Sequence, residues 1–265
     1  MVPVVEANGA RIPLIGLGTW DLRGKACARM VEEAIRLGYR HVDTAAMYGN
    51  EVEVGEGLRA AGIPRDEIFI TTKVWSSNLR ARDFEHSTRD SIAKLKLPSV
   101  DLLLIHWPNP SVPLKETVAA LCKMKQEGLA QHVGVSNFTP DMVEDAVTFS
   151  TEPLVNNQIE CHPYFDQSKT IAASRRRGLS VTAYSPIARG RIKGDAVLAR
   201  IGKAHSKTAA QICLRYLVQQ SLVVIPKTSH SERLKENAAI FDFELTPVEM
   251  KEIAKLASPN GNIVS

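Results

Sequence analysis

Residues 102–108, Leu-Leu-Leu-Ile-His-Trp-Pro, form a continuous apolar run that ends in an imidazole and an indole. A run without polar alternation is typical of a strand buried on both faces of a parallel sheet, and it predicts a strand over 101–106. Similar runs recur near residues 14–18, 41–45, 68–74, 131–136, 155–159, 180–185 and 222–226. Helical patterns separate them, so the chain alternates predicted strands with predicted helices.

Eight such units predict an α/β fold, a single (β/α)8 TIM barrel domain over residues 1–265. The alternative, a doubly wound sheet, usually carries a glycine-rich phosphate turn after its first strand. Residues 16–20, Gly-Leu-Gly-Thr-Trp, do not have that pattern, so we favour the barrel. Residues 4–14 predict an N-terminal β-hairpin around Asn8-Gly9 that covers the barrel bottom, and residues 195–219 predict extra helices between strands 7 and 8.

The composition and charge of the chain limit the classes of function that it could have. The chain has 265 residues and a net charge of +4, with basic residues that are mostly scattered, so we expect no nucleic-acid partner. No apolar run approaches 18 residues and no signal peptide is evident, so we expect a cytoplasmic protein without a membrane partner. The four cysteines are far apart and lack metal-ligand spacing, which predicts buried free thiols and no metal site.

Four chemically active residues, which we name the strand-end tetrad, follow three predicted strands: Asp43, Tyr48, Lys73 and His106. The carboxyl ends of barrel strands carry the active site, so we expect these side chains to meet. A free phenol has a pKa of about 10, and we expect the Lys73 ammonium to lower that of Tyr48 while Asp43 holds Lys73 in place. Positioned acid catalysis follows, with His106 orienting a carbonyl oxygen or sharing the proton. A structural ion pair beside a histidine is the alternative.

The chain has three tryptophans, and all of them follow predicted strands 1, 3 and 4. One tryptophan alone would favour core packing. Three at one rim favour an aromatic pocket for a small molecule, lined by Trp20, Trp75 and Trp107.

Other strand ends carry amides and hydroxyls that could form hydrogen bonds with the carboxamide of a ligand, although they could equally form hydrogen bonds with buried backbone groups. Basic and hydroxyl residues then surround a predicted helix start at Ser231, which predicts an anion site. A solvated basic rim is the alternative. These residues are Ser136, Asn137, Gln158, Tyr184, Lys227, Thr228, Ser229 and Arg233.

The chain resembles the aldo-keto reductase family. The matching segments are GLGTW, GYRHVDTAAMYGNE, ITTKVW, LLLIHWP, GVSNF, NNQIECHPY, AYSPIARG and IPKTSHSERLKEN, spread over residues 16–237. Within the family it is most like the bacterial 2,5-diketo-D-gluconate reductases. The resemblance implies a monomeric (β/α)8 enzyme that uses NADPH to reduce aldehydes or ketones, with Tyr48 as general acid.

The resemblance also implies which residues contact the cofactor. Ser136, Asn137 and Gln158 hold the carboxamide, and Tyr184 stacks on the nicotinamide. The remaining cofactor contacts come from the ends of the first two strands, from the residues that follow the pyrophosphate, and from those that bind the 2′-phosphate and the adenine. They are Gly18, Thr19, Trp20, Asp43, Ser185, Ile187, Lys227, Thr228, Ser229, Arg233, Glu236 and Asn237.

The substrate pocket implied by the resemblance is lined by Trp20, Met47, Tyr48, Trp75, His106 and Trp107. We expect it to be open, because the loop after strand 4 and the segment after the last helix are short. Arg189 adds a cation near the phosphates or simply faces solvent. Two rival functions stay open: a Schiff-base aldolase using Lys73, and a regulatory barrel that binds NADP without turnover.

Overall fold

The computed structural model describes residues 2–264. The chain opens with an antiparallel hairpin of β1 (Val4–Ala7) and β2 (Ala10–Pro13). Eight parallel strands then follow in sequence order, each hydrogen-bonded to the next. They are β3 (Leu17–Gly18), β4 (His41–Asp43), β5 (Phe69–Val74), β6 (Val100–Ile105), β7 (Ala130–Ser136), β8 (Leu154–Glu160), β9 (Ser180–Tyr184) and β10 (Val223–Val224).

The first and last parallel strands meet, so the sheet closes into a barrel. Ile15 forms a parallel bridge with Val224, and the Gly16 amide donates to the Val224 carbonyl at 2.9 Å. The backbones approach so closely that a Cβ on Gly18 would lie 2.6 Å from the Ile225 oxygen. The predicted (β/α)8 fold is confirmed, although β3 and β10 are shorter than predicted because this seam pairs through single bridges.

Helices cover the outside of the barrel: α1 (Gly24–Arg36), α2 (Glu51–Ala61), α3 (Ala81–Leu95), α4 (Leu114–Gln126), α5 (Pro140–Phe149), α6 (Ser168–Arg176), α7 (Ala196–His205), α8 (Ala209–Val218), α9 (Ser231–Ala238) and α10 (Pro247–Ala254). Their starts follow from sequence. Thr139 caps α5 with Pro140 at the first helical position, and Thr246 with Glu249 forms the capping box of α10. The helices predicted over residues 195–219, between strands 7 and 8, are α7 and α8.

The hairpin covers the bottom of the barrel, as predicted. Asn8 and Gly9 take the positive φ values of 45° and 90° that a tight hairpin turn requires. Ile12 of β2 is fully buried in an apolar cluster with inward-facing strand residues, whose other members are Ala10, Phe69, Leu102, Leu104, Val155 and Val223. This plug fills the end of the barrel opposite the strand-end tetrad.

All four cysteines are buried free thiols, as the sequence predicts. Over residues 2–264, no helix is both long and apolar enough to cross a membrane. Within the same range, no group of three or more His, Cys, Asp or Glu side chains is arranged to hold a metal ion.

Candidate active site

A buried ion pair forms the base of the site. Lys73 Nζ lies 2.5 Å from Asp43 Oδ1 and donates to the Thr44 carbonyl at 2.8 Å. β4 and β5 are paired neighbours, so the register places the two side chains together at the carboxyl end of the sheet. The lysine is fully buried and Asp43 nearly so. Burial lowers the pKa of Lys73, whereas the Asp43 carboxylate opposes that shift.

Tyr48 lies above the ion pair on a short 3-10 turn, Ala46–Tyr48. Its hydroxyl is 3.5 Å from Lys73 Nζ. We expected Lys73 to lower the pKa of Tyr48, and this expectation is wrong: burial raises the pKa well above 10, and the Asp43 charge raises it further. The ammonium is much closer to Asp43 than to the phenol, so its charge mainly compensates the carboxylate. Tyr48 therefore carries its proton at neutral pH.

His106 completes the tetrad on the other side of Tyr48. The two ring centroids are 5.6 Å apart, and Trp75 packs edge-on against the imidazole at 5.0 Å. Burial and then the Lys73 charge lower the pKa of His106 to about 2. A neutral imidazole has one N–H to donate, so His106 can orient a carbonyl oxygen but is not charged at neutral pH.

The predicted amides form a connected shelf beside the tetrad. Gln158 Nε2 donates to Asp43 Oδ2 at 2.7 Å, so Asp43 binds the lysine and the shelf at once. Ser136 Oγ donates to the Gln158 carbonyl at 2.8 Å, and Asn137 Nδ2 donates to Ser136 Oγ at 3.1 Å. The Tyr184 hydroxyl donates to Asn137 Oδ1 at 2.9 Å, which fixes the tyrosine ring at the edge of the shelf.

The tetrad and the shelf open into a single cleft of about 1210 Å³. Most of the predicted site residues line it. They are Gly18, Thr19, Trp20, Asp43, Met47, Tyr48, Trp75, His106, Trp107, Asn137, Gln158, Tyr184, Ser185, Ile187, Lys227, Thr228, Arg233, Glu236 and Asn237. Three predicted residues do not: Lys73 lies beneath the surface, Ser136 is buried behind Gln158, and Ser229 faces solvent.

Two cations occupy the far end of the cleft, at the start of α9. Lys227 and Arg233 are exposed, and within residues 2–264 neither forms an ion pair with a carboxylate. Thr228 between them is buried and accepts a hydrogen bond from the His230 amide at 3.0 Å. This end of the cleft therefore offers unpaired positive charge beside a helix N-terminus, as an anion requires.

Sequence reasoning missed part of the cleft wall. The loop after β9 has positive φ values at Ser185, Ala188 and Arg189 and forms part of that wall. Arg189 and Lys193 of this loop both line the cleft; Arg189 is also exposed to solvent, so its role toward the phosphates stays a prediction. The cluster Arg189-Gly-Arg-Ile-Lys193 was the available signal. Further contributors missed are Asp21, Ser76, Pro186, Ile192, Thr208, Ala209, Ala210, Ile225 and Val264.

Comparison with known proteins agrees with this architecture. The family model described as the Aldo/keto reductase family matches residues 14–258. The chain belongs to the aldo-keto reductase family. A methylglyoxal reductase, DkgB, from Escherichia coli O157:H7 is 38% identical to this aldo-keto reductase over 259 residues, covering 94% of this chain and 97% of the relative. The oxidoreductase YtbE from Bacillus subtilis is 40% identical over 254 residues, covering 94% and 90%.

Solved structures of the family superpose on nearly the whole chain. A crystal structure provisionally described as a 2,5-diketo-D-gluconic acid reductase B is 47% identical, with a TM-score of 0.98 over 100% of this chain and 95% of that one. An aldo-keto reductase from Bombyx mori, crystallised with NADP, is 33% identical with a TM-score of 0.93, covering 100% and 95%. The predicted family is confirmed, and within it the similarity to 2,5-diketogluconate reductases. The chain is an oxidoreductase of this family.

Proposed function

We propose that the protein reduces aldehydes and ketones to alcohols with NADPH, using residues 1–265 as one catalytic domain. Family membership supports carbonyl reduction in general terms. The observation that carries the finer proposal is the buried Asp43–Lys73 pair beneath a protonated Tyr48, which opens into the same cleft as an unpaired cationic end.

The donor set of the cleft fits NADPH. Asn137 and Gln158 offer amides suited to a nicotinamide carboxamide, and Tyr184 offers a ring that can stack on a flat heterocycle. Lys227 and Arg233 offer unpaired cations for a 2′-phosphate, and Glu236 and Asn237 line the cleft nearby for an adenine. When bound, the reduced nicotinamide supplies the hydride that the carbonyl carbon accepts. The solved Bombyx mori relative with NADP adds support.

The proton comes from Tyr48. The pKa of the phenol lies well above neutral pH, so Tyr48 is protonated before reaction, as a general acid must be. The charge that develops on Tyr48 as it gives up the proton is stabilised by Lys73 at 3.5 Å. Asp43 holds that lysine, and neutral His106 donates a hydrogen bond to the substrate oxygen. In this proposal the carbonyl oxygen lies between Tyr48 and His106.

We propose small dicarbonyls and keto-sugars as substrates. The wall near the tetrad is aromatic and sulfur-containing, with Trp20, Met47, Trp75 and Trp107. Two similar proteins are described as a methylglyoxal reductase and as a 2,5-diketogluconic acid reductase, and both of those substrates are dicarbonyls. In a dicarbonyl, the second carbonyl draws electrons from the first and makes it more electrophilic.

The rival functions have weaker support. A Schiff-base aldolase needs a lysine amine that reaches the substrate carbon, whereas Lys73 is fully buried and donates to Asp43 and to the Thr44 carbonyl. A binding barrel without turnover would not require the buried Asp43–Lys73 pair beneath a tyrosine hydroxyl. We further propose that the protein works as a cytoplasmic monomer.

The variant Tyr48→Phe tests the mechanism. Loss of the acidic hydroxyl should lower kcat for methylglyoxal reduction by about 10²–10⁴-fold, the usual size of general acid catalysis. NADPH binding should change little, as measured by the quenching of tryptophan fluorescence. Tyr216→Phe is the matched control, because Tyr216 does not line the cleft. Full activity in Tyr48→Phe would refute the assignment of the proton donor.

A further inference from the structure

Asn50 is a fully buried amide whose side chain is hydrogen-bonded on both sides. Its Nδ2 donates to the Thr19 carbonyl at 2.8 Å and to the Leu22 carbonyl at 3.0 Å. Its Oδ1 accepts from Thr44 Oγ1 at 2.9 Å. The residue lies directly before α2, two positions after Tyr48, and it does not line the cleft.

The two carbonyls that Asn50 binds belong to the turn that carries Trp20. This turn closes with a hydrogen bond from the Leu22 amide to the Thr19 carbonyl at 3.0 Å. Asp21 within it has a φ of 62°, a left-handed conformation that is unfavourable for most residues other than glycine. The Thr19 carbonyl that closes the turn and the Leu22 carbonyl at its end both accept hydrogen bonds from the one amide group of Asn50.

Trp20 lies on this turn at the rim of the cleft. Its side chain is 42% exposed, the indole packs edge-on against the Tyr48 ring at 5.0 Å, and it forms one wall of the cleft. An indole at a rim takes its direction from the backbone that carries it. The geometry of the Thr19–Leu22 turn therefore sets the angle of Trp20 against Tyr48.

The other side of Asn50 reaches the tetrad. The Thr44 hydroxyl donates a hydrogen bond to Asn50 Oδ1, and the Thr44 carbonyl accepts one from Lys73 Nζ at 2.8 Å. One amide thus joins the Trp20 turn to the end of β4, which holds the lysine. Movement of the turn relative to Tyr48 requires these hydrogen bonds to break.

We propose that Asn50 is a positioning residue that acts through Trp20 and fixes the indole wall against Tyr48, so that the carbonyl substrate binds against a rigid aromatic surface beside the proton donor. This inference rests on the proposed function, because it takes Tyr48 as the acid and Trp20 as a substrate wall. Loss of the Nδ2 donors frees the turn and weakens substrate binding, while the acid and its pKa are unchanged.

Two variants test this role, with one matched control. Asn50→Leu keeps the approximate size of the side chain without adding a charge but cannot donate to either carbonyl, and Asn50→Ala removes the whole amide. Asn157→Ala is the control. Asn157 is also fully buried, and its Nδ2 donates to the Phe138 carbonyl at 3.1 Å and to Ser174 Oγ at 3.3 Å, away from the cleft.

The first measurement does not depend on activity. The chain has three tryptophans, so 5-fluorotryptophan labelling gives three 19F resonances, and the Trp20 resonance is assigned by its absence in Trp20→Phe. In both Asn50 variants the Trp20 resonance should shift or broaden, while those of Trp75 and Trp107 stay in place. In Asn157→Ala all three should stay in place.

The second measurement separates KM from kcat. In the Asn50 variants, KM for methylglyoxal should rise about tenfold, the effect expected from losing a hydrogen bond or two that position a wall. The value of kcat should stay within about threefold and its pH profile should not shift, since an interaction with substrate that is uniform along the reaction affects KM alone. Asn157→Ala should leave both constants unchanged.

Several outcomes would overturn the proposal. These are an unmoved Trp20 resonance, an unchanged KM, equal movement of all three resonances, or failure of both Asn50 variants to fold, which would make Asn50 a support of the fold as a whole. If the parent protein reduced no carbonyl, the proposed function would fail, yet the 19F spectra would still decide whether Asn50 positions Trp20.

Discussion

The two ends of the barrel are built from the same strands and differ in what those strands direct inward. At the bottom, β5 contributes Phe69 and β6 contributes Leu102 and Leu104 to the apolar plug under the hairpin. At the top, β5 contributes the fully buried Lys73, and His106 follows β6. One strand therefore carries an aromatic ring at one end and an ammonium, four residues later, at the other.

This difference shows how the barrel divides stability from chemistry. Burial of apolar side chains at the bottom stabilises the fold by roughly 1.5–3 kcal/mol for each fully buried large residue. Burial of an ion pair costs desolvation energy and is weak support for stability, so the Asp43–Lys73 pair needs another reason to be there. We infer that the buried ion pair lowers stability at the top of the barrel and that it is present because it fixes a positive charge beneath Tyr48. The predictions below test this division.

The largest expected effect is that of breaking the ion pair at the top. Lys73→Met should lower kcat by about 10²–10⁴-fold, because Tyr48 loses the charge that stabilises its deprotonated form. It should also destabilise the fold by about 3–5 kcal/mol, because Asp43 is left as an unpaired buried charge. Urea unfolding and steady-state NADPH oxidation measure the two effects separately.

The double variant Lys73→Met with Asp43→Asn sharpens this prediction. Removing both charges should restore most of the stability, while activity stays at the level of the single variant. If the double variant stayed as unstable as the single one, the pair would stabilise the fold in its own right. The division between the two ends of the barrel would then be wrong.

The next effect concerns the bottom. Ile12→Ala removes a fully buried side chain from the plug and should cost about 2–5 kcal/mol in the free energy of unfolding. Because the plug lies at the opposite end from Tyr48, kcat and KM of the folded enzyme should not change. Thermal denaturation and kinetics well below the midpoint would check both statements, and a fall in kcat would show that the two ends are coupled.

The sequence predicted the fold and the position of most cleft residues for one physical reason. Buried parallel strands appear as continuous apolar runs, and a polar residue at the end of such a run has few roles except at the barrel mouth. Asp43, Lys73, His106 and Gln158 were all found in this way. The positions of these four residues do not decide their chemical roles, and those roles stay predictions.

Features that depend on three-dimensional distances could not be predicted in this way. The pKa of Tyr48 rises because of burial and the Asp43 charge, and neither the burial nor the 3.5 Å separation from Lys73 is visible in the sequence. The loop with Arg189 and Lys193 has no periodicity to show that it lines the cleft. Asn50 has no chemistry of its own, and only its three hydrogen bonds reveal its place between the turn and β4.

A smaller effect is expected at the cationic end of the cleft. Arg233→Ala should raise KM for NADPH about tenfold and leave KM for NADH unchanged, because a hydrogen bond to a charged group is worth roughly 1.5–3 kcal/mol and exposure reduces it. Lys235→Ala on the same helix is the control, since Lys235 is exposed and does not line the cleft. Equal changes for both cofactors would refute a 2′-phosphate site here.

The last effect depends on pH and concerns His41, which lies between the two ends. Its Nε2 is 3.1 Å from Thr71 Oγ1 and its ring packs edge-on against Phe69 of the plug, with Asp43 two residues further along β4. Burial lowers the pKa of His41 to about 4, against an opposing contribution from Asp43. The unfolded chain, in which the pKa is about 6.5, therefore binds this proton more readily than the native protein.

Stability from neutral His41 is fully present above about pH 6.5 and is lost as the pH falls toward 4, with a slope of up to about 1.4 kcal/mol per pH unit. Urea unfolding of the parent and of His41→Asn between pH 7 and 4 isolates this contribution as a difference in slope, independent of any packing cost of the substitution. The variant should show the shallower slope. Parallel slopes would mean that His41 is not held neutral by the barrel interior, and that the low-dielectric region extends less far below the tetrad than its burial indicates.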